Sequence, residues 1–170
     1  YPRHHLDPRM TQPTKEQSAM LVQMELSRIL IHERKAEQLI ELRELDPNLQ
    51  SPRSFPIVIG IVEAAAIGRR LEGMELPRPM THDLLANTIE GLGATLEAIT
   101  ITDLIDGAFI AQLSIARPDG HLVHIDARPS DAIALGVATN VPIFADESVI
   151  EQACVLTPPE DEGFGESHRH

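Results

Sequence analysis

Two six-residue segments that lie 68 positions apart share one pattern and constrain how the whole chain can fold. Residues 63–68 read EAAAIG and residues 131–136 read DAIALG, so both have an acid, two alanines, an aliphatic residue and a glycine at matching positions. Each segment follows an apolar stretch typical of a β-strand, and a hairpin-like pair of stretches precedes that strand. The pattern therefore predicts a duplicated β-β-β-α unit, with repeats at about residues 20–73 and 94–140.

The order of these elements predicts an α+β fold. Two β-β-β-α units can form a mixed or antiparallel sheet packed with short helices, and small alanine and glycine faces let the helices lie close to the sheet. A helix over residues 82–92 joins the halves, and a strand at 141–145 followed by a helix extends the second. We expect one compact domain over residues 19–156, between a disordered leader or tag at 1–18 and a disordered acidic tail at 157–170.

Some local patterns carry finer expectations. Residues 55–60 are almost wholly apolar, which is typical of a strand buried on both faces. Thr81 and Ser130 are of the residue types that cap helix starts, so we expect them to be N-caps. The basic residues in 68–70 are expected to be solvated. The apolar stripe of the helix over 82–92 is expected to consist of Leu84, Leu85, Ile89 and Leu92.

The composition limits the kinds of function. A net charge of −12 at pH 7 disfavours a broad basic surface that follows phosphates, and 3% aromatic residues leave few platforms for stacking bases. Any nucleic-acid contact must therefore be local, through a few arginines or a bound cation. The single Cys154 fits a reducing compartment, and the sequence contains no apolar run long enough to span a membrane. We expect a cytoplasmic protein with no membrane partner.

Charged and hydroxyl residues cluster at the predicted helix starts. Acids and hydroxyls are also what capping alone prefers there, because free backbone N–H groups favour them by roughly 0.3–1 kcal/mol. Capping does not explain the arginines, the histidine or Asp126, and for Arg128 the alternative is an ion pair with Asp126 or Asp131. The candidate site residues are Glu63; Arg78, Thr81, His82 and Asp83; and Asp126, Arg128, Ser130 and Asp131.

These residue types support two kinds of chemistry. An imidazole beside a carboxylate can act as general base or acid, so His82 next to Asp83 is a candidate for proton transfer. Carboxylate oxygens can instead hold a hard cation such as Mg²⁺ or Mn²⁺, provided that the fold brings them together. The spacing leaves open whether a metal is bound at all. The residues that would share such a cation are Asp126, Asp131 and Glu63.

Three longer motifs occur in a fixed order along the chain. They are IVIGIVEAAAIGRRLEG at 57–73, RPMTHDLL at 78–85 and IDARPSDAIALG at 125–136, followed by VPIFA at 141–145. Taken together, these motifs resemble the bifunctional nuclease domain family. The resemblance covers about residues 20–153 and implies an α+β domain that cleaves both DNA and RNA. The chain departs from the family pattern chiefly in its loop at 46–54, in its acidic tail and at Val58, where an aromatic residue is common.

This resemblance makes a phosphodiester hydrolase for single-stranded or flexible nucleic acid the first hypothesis. In it, His82 oriented by Asp83 transfers protons, and the three other acids bind a metal or position the arginines. The alternative is a non-catalytic, oligomeric ligand-binding or regulatory module in which the same residues form a structural network. A homodimer or higher homo-oligomer is expected under both hypotheses. The expected phosphate contacts are Arg78 and Arg128, with Thr81 and Ser130 beside them.

Overall fold

A computed structural model describes residues 20–31, 36–74 and 76–156, which form a sheet of seven strands packed with four helices. The strands are β1 Leu21–Leu30, β2 Glu37–Glu44, β3 Ser54–Gly60, β4 Thr95–Ile105, β5 Ala108–Ala116, β6 Leu122–Ala127 and β7 Ile143–Asp146. The helices are α1 Ile61–Leu71, α2 Thr81–Gly91, α3 Pro129–Gly136 and α4 Glu147–Leu156, with a 3-10 turn at Val137–Thr139. The expected leader, acidic tail and first hairpin turn at 32–35 lie outside the described residues.

The strands are arranged in the order β3-β2-β1-β7-β4-β5-β6. Each half contributes an antiparallel meander of three strands that leads into a helix, and β7 lies between the two meanders. The pairing of β7 with β4 is parallel, whereas its pairing with β1 is antiparallel, so the sheet is mixed. The predicted α+β fold and the duplicated β-β-β-α unit are both confirmed.

The sheet curls so that its two halves share one core. Phe55 of β3 is fully buried, and its ring stacks on that of Phe109 from β5 with the centroids 5.3 Å apart. Aliphatic and alanine side chains from the strands and from α1, α3 and α4 form the rest of this core. Helix α3 is buried along nearly its whole length, because its alanines let it lie close to the sheet. Its first residues are therefore held rigidly.

Two predictions of burial are wrong. Strand β3 is covered on only one face: Phe55, Ile57 and Ile59 are buried, whereas the residues between them are partly or fully exposed, and Val58 is 60% exposed. Helix α2 has no buried residue, and three of the four residues in its predicted apolar stripe face solvent. Only Ile89 of that stripe packs against the core, together with Ala86. The exposed residues are Leu84, Leu85 and Leu92.

The two predicted N-caps are also displaced by one and two positions. Met80 is the N-cap of α2, so Thr81 is the first residue of that helix. Arg128 is the N-cap of α3, and Pro129 takes the first helical position, where its missing N–H and fixed φ fit well. Ser130 is therefore the second residue and is buried. No helix in the described ranges has both the length and the apolarity needed to cross a lipid bilayer.

Candidate functional site

The starts of the two repeated helices meet at Arg128. Glu63 is the third residue of α1 and Asp131 is the third residue of α3, so the two acids occupy equivalent positions in the repeat. Arg128 donates from Nε to Asp131 Oδ2 at 2.7 Å and from Nη2 to Oδ1 at 3.1 Å. Its Nη1 donates to Glu63 Oε1 at 3.2 Å. One guanidinium thus binds both carboxylates.

His82 joins this cluster from the first turn of α2. Its Nε2 lies 3.1 Å from Asp131 Oδ1, and its side chain is 18% exposed. Hydrogen bonds from Arg128 hold the pKa of the Asp131 carboxyl below its usual range, although burial opposes the shift and the contact with His82 adds to it. Because an ionised carboxylate only accepts, we assign the donor role to Nε2–H, which leaves Nδ1 as the basic nitrogen of a neutral ring.

These residues line an open cleft of about 440 Å³, which we call the three-helix cleft. A second cleft of about 580 Å³, the strand-edge cleft, lies between β3 and the start of α3. Glu63 and Arg128 line both clefts, so their ion pair separates the two. The polar wall of the three-helix cleft is formed by Glu63, Arg69, Thr81, His82, Arg128 and Asp131, and its apolar floor by Ile61, Val62, Ala65, Ala66 and Met80.

Asp83 does not orient His82, which corrects the sequence-based assignment. The Asp83 carboxylate instead accepts hydrogen bonds from Arg69 Nη2 at 3.0 Å, from Arg70 Nη1 and from the backbone N–H of Met80 at 3.0 Å. Burial raises the pKa of this carboxyl, but the Met80 N–H and the two arginine charges outweigh burial, so the pKa lies below its usual range. Asp131 is the partner that orients the imidazole.

The two arginines at 69 and 70 are neighbours of the candidate site that sequence reasoning missed. Arg70 is only 8% exposed, and its Nη2 donates to the Leu135 carbonyl of α3 at 3.1 Å, so the expectation of a solvated basic pair is wrong. The helical period contained the signal, because Arg70 follows the buried Ala64 and Ile67 at intervals of three residues. Arg70 therefore ties α1 to both α2 and α3.

Two candidate residues lie outside the cluster. Asp126 is exposed on β6, opposite Gln112 of β5, and Arg78 is exposed in the loop before α2. Neither side chain makes a hydrogen bond or ion pair with the described residues. Arg78 borders a separate hollow beside Arg69 and Asp83. Thr81 lines the three-helix cleft, and the buried Ser130 lines the strand-edge cleft.

The acids of the cluster do not fit a hard cation in this arrangement. Within the described ranges, no group of three or more His, Cys, Asp or Glu side chains is placed to hold a metal ion. The carboxylates of Glu63 and Asp131 both face the Arg128 guanidinium, which occupies the position between them. A Mg²⁺ or Mn²⁺ ion would have to displace that guanidinium and would lack Asp126 as a third oxygen ligand.

Comparison with known proteins gives relatives of two kinds. An uncharacterized protein of Mycobacterium tuberculosis (strain H37Rv) is 43% identical over 110 residues, which cover 65% of this chain and 65% of that protein. Bifunctional nuclease 1 of Arabidopsis thaliana is 24% identical over 121 residues, covering 65% of this chain and 37% of the plant protein. Bifunctional nuclease 1 of Oryza sativa subsp. indica is 24% identical over 97 residues, covering 56% and 29%.

The region that matches a known family contains the whole cluster described above. Residues 46–157, which are more than half of the chain, match the model of the bifunctional nuclease domain. This stretch includes β3–β7, all four helices and every residue whose side chain contacts Arg128 or His82. The chain belongs to the bifunctional nuclease domain family.

Proposed function

We propose that this chain is a nuclease that hydrolyses phosphodiester bonds of DNA and RNA in the three-helix cleft. The observation that carries the proposal is the 3.1 Å contact between His82 and Asp131, which joins two motifs 49 residues apart at the wall of an open cleft. An imidazole held by an ionised carboxylate is a recurrent device for proton transfer. The family membership and the plant relatives named bifunctional nucleases support the same class of reaction.

Activity on both nucleic acids excludes the 2′-hydroxyl as the common nucleophile, because DNA has none, and we assign this role to water. His82 Nδ1 takes a proton from that water while the new P–O bond forms and the bond to the leaving oxygen breaks. The imidazolium then gives this proton to the leaving oxygen, which restores the neutral ring. Asp131 fixes the ring and stabilises its charged form, as the acid of a catalytic triad does.

Arg128 is suited to stabilise the charge on the phosphate. Three of its five N–H donors are occupied by Asp131 and Glu63, so two remain for non-bridging phosphate oxygens. Its side chain is 65% exposed, which leaves these donors accessible from the cleft. Because two carboxylates already fix the guanidinium plane, little reorganisation is needed when negative charge develops. This is the role that we assign to Arg128.

The shape and charge of the cleft favour single-stranded or flexible substrates. The apolar floor can take a sugar or base, whereas a duplex needs many phosphate contacts along a rigid path. In the described cluster, the arginines at 69, 70 and 128 are balanced by the acids at 63, 83 and 131. Binding therefore depends on a few local contacts.

The test is hydrolysis of labelled single-stranded RNA and DNA by highly purified protein. We expect His82→Ala to lower the rate by roughly 10²–10⁴-fold, because it removes the general base, and Arg128→Ala and Asp131→Ala to lower it as well. Matched controls are His121→Ala and Arg43→Ala, an exposed histidine and an exposed arginine outside the cleft. Both controls should retain the parental rate.

Two outcomes would overturn the proposal. If the folded cleft variants digest nucleic acid at the parental rate, the activity comes from a contaminant or from another surface. If pure wild-type protein is inactive on both substrates, the cluster belongs to a non-catalytic module. Adding EDTA to the assay tests the mechanism without a metal: hydrolysis should persist, and a loss that Mg²⁺ restores would mean that the reaction needs a metal ion.

A further inference from the structure

The strand-edge cleft contains a buried hydroxyl that has no partner in the described part of the chain. Ser130, the second residue of α3, lines this cleft and is only 6% exposed. Its side chain makes no hydrogen bond with any described residue. Helix α3 also begins without a side-chain cap, so the first N–H groups of its backbone lie beside this hydroxyl without a side-chain acceptor. Buried polar groups normally have a partner, and the cleft is the side from which one can reach Ser130.

Strand β3 adds free backbone groups to one wall of this cleft. It is the first strand in the sheet order, so only β2 pairs with it. Alternate residues of an antiparallel pair bond to the partner strand, and the 2.9 Å hydrogen bond from the Glu44 N–H to the Arg53 carbonyl fixes which residues do so. Pro56 and Val58 therefore face the open side, and Pro56 has no N–H that β2 could use. Both residues line the cleft.

The start of β5 forms the opposite wall. Strand β6 pairs with β5 only from Ala111 onward, so residues 108–110 have no neighbouring strand on that side. Ala108 and Ile105 close a two-residue turn as a bonded pair, so the next residue, Phe109, turns its N–H and C=O to the open side. Phe109 lines the cleft. Free donors and acceptors from two strands thus border the same space as the Ser130 hydroxyl.

We propose that the strand-edge cleft is a nucleoside subsite, in which Ser130 and the free strand edges bind the base of a nucleotide next to the cleaved bond. This inference rests on the proposed nuclease function. Arg128 lines both clefts, and its ion pair with Glu63 separates them. A phosphodiester held by the free donors of Arg128 has a nucleoside on each side. One nucleoside then lies on the apolar floor of the three-helix cleft, and the other lies in the strand-edge cleft.

A neutral nucleoside suits the strand-edge cleft better than a phosphate or a protein strand. The volume of about 580 Å³ is within the range of sites for small molecules. Glu37 and Glu63 line the cleft and would repel a phosphate, but they can accept hydrogen bonds from the N–H groups of a base. A protein segment that added a strand to β3 would meet Pro56, and proline blunts the edges of sheets. Base edges carry both donors and acceptors, as do the groups that face this cleft.

The first test is a titration of the whole chain with single nucleosides, followed by amide NMR shifts, which needs no catalysis. The probes are adenosine, cytidine, uridine and inosine, the last in place of the poorly soluble guanosine. At least one should shift the amide signals of Val58, Phe109 and Ser130 with a Kd on the order of 1 mM, as a small ligand with few hydrogen bonds would. Ribose 5-phosphate, which has no base, should leave these three signals in place. If no nucleoside moves them at about 10 mM, the subsite is overturned even where the chain cleaves nucleic acid.

The second test asks whether Ser130 contacts a base during cleavage. Ser130→Ala removes a hydroxyl that has no protein partner, so the melting temperature should not fall. The substrates are single-stranded oligonucleotides with one phosphodiester between two varied bases, the other linkages being phosphorothioates. The wild type should prefer certain bases at one of the two positions, and Ser130→Ala should reduce that preference by roughly 2- to 10-fold, which corresponds to one hydrogen bond. On a substrate that lacks the base at this position, the wild type and the variant should be equal.

The matched control is Ser114→Ala, at a serine of β5 that is 8% exposed and lines neither cleft. It should keep the preference of the wild type. An equal loss of rate on every substrate, with or without the base, would mean that Ser130 has only a structural role, and that result overturns the inference. If the pure wild type cleaves none of the substrates, the nuclease proposal fails, and the NMR titration alone decides whether nucleosides bind in the strand-edge cleft.

Discussion

At the scale of single residues, the site arises from a difference between two halves that are otherwise alike. The position equivalent to Arg128 in the first repeat is Gly60, which is the N-cap of α1 as Arg128 is the N-cap of α3. A Cβ at Gly60 would lie 2.2 Å from Glu63 Oε2, so the glutamate occupies the space that a side chain there would need. One arginine therefore serves both acids. The duplication places an acid at the third position of each helix, and the arginine that binds both acids is present at only one of the two N-caps.

The charge of Asp131 should contribute to stability in a pH-dependent way. Its folded pKa is held below the unfolded value of about 3.9, chiefly by Arg128, so the contribution is complete above about pH 4 and is lost as the pH falls through the folded pKa. Since the carboxylate is 36% exposed, we expect Asp131→Asn to lower the free energy of unfolding by only about 0.5–1 kcal/mol at pH 7. In urea unfolding, the difference in free energy of unfolding between the wild type and Asp131→Asn should shrink as the pH is lowered from 7 to 3.

The carboxyls of Glu44 and Asp83 also have pKa values below the usual range, and they titrate in the wild type and in Asp131→Asn alike. The difference in free energy of unfolding between these two proteins therefore reports on Asp131 alone. Asp126→Asn is the matched control, because it removes the same charge from an exposed position two residues before Arg128. It should change the free energy of unfolding by less than about 0.5 kcal/mol at every pH. A constant gap for Asp131→Asn down to pH 3 would contradict the role given to its charge.

At the scale of elements, α2 is positioned by charge rather than by apolar burial. It has no buried residue, and its first turn is fixed by Asp83 between Arg69, Arg70 and the Met80 N–H. Because His82 is the neighbour of Asp83, the same contacts place the imidazole against Asp131. Arg69 and Arg70 are thus positioning residues for the proposed reaction.

Removing the Asp83 carboxylate should loosen α2 and leave Arg70 buried without a counter-charge. We expect Asp83→Ala to cost about 2–4 kcal/mol of stability, since breaking a largely buried pair exposes an uncompensated charge to a low-dielectric site. Hydrogen exchange should accelerate in α2 while the amides of β4 and β5 remain protected. Glu90→Ala, on the same helix, is the control, and it should change neither the stability nor the hydrogen-exchange rates of α2. Equal acceleration throughout the sheet would mean global unfolding instead.

The repeat also provides a matched pair of glycines. Gly68 and Gly136 are the eighth residues of α1 and α3, but a Cβ at Gly68 meets nothing within 4 Å, whereas a Cβ at Gly136 would lie 2.5 Å from Ile99 Cδ1 and 3.3 Å from Val141 Cβ. Ile99 is fully buried and cannot move aside freely. We expect Gly68→Ala to stabilise by about 0.5–1 kcal/mol and Gly136→Ala to destabilise by about 1–3 kcal/mol in urea unfolding. Equal effects would contradict this packing.

The element order could be predicted from the sequence because it depends on local periodicity, and the same periodicity occurs in both repeats. The ion pair of Arg128 with Asp131, three residues along the chain, could be anticipated as one of two alternatives. The partners of His82 and Asp83 could not, because they depend on how α2 docks. His82 is adjacent to Asp83 in the chain, yet its partner is Asp131, 49 residues away. Asp126 and Arg128 also separate, because Asp126 belongs to β6 whereas Arg128 is the N-cap that turns towards α3. The spacing of these residues in the sequence does not reveal the change of direction between β6 and α3.

At the scale of the whole molecule, the acidic charge limits how nucleic acid can be bound. The chain has 26 acids against 14 lysines and arginines, and the described cluster around the cleft is electrically balanced. The exposed cations near the site are Arg128, which retains two free donors, and Arg78 in the loop before α2. A bound strand should therefore release few counterions, since each neutralised phosphate contributes separately to the salt dependence.

This limit can be measured as the slope of log K against log salt for a labelled single strand, using His82→Ala to prevent cleavage. With one or two phosphate contacts, we expect a slope of roughly −0.7 to −1.4 between 50 and 200 mM salt, and Arg128→Ala should make it shallower by roughly 0.7. Arg43→Ala, at an exposed arginine paired with Glu25 on the distant β2–β1 hairpin, should leave the slope unchanged. A slope steeper than about −4 would require a broad basic surface, which this acidic chain could supply only by binding cations or by bringing a second copy's arginines to the same strand.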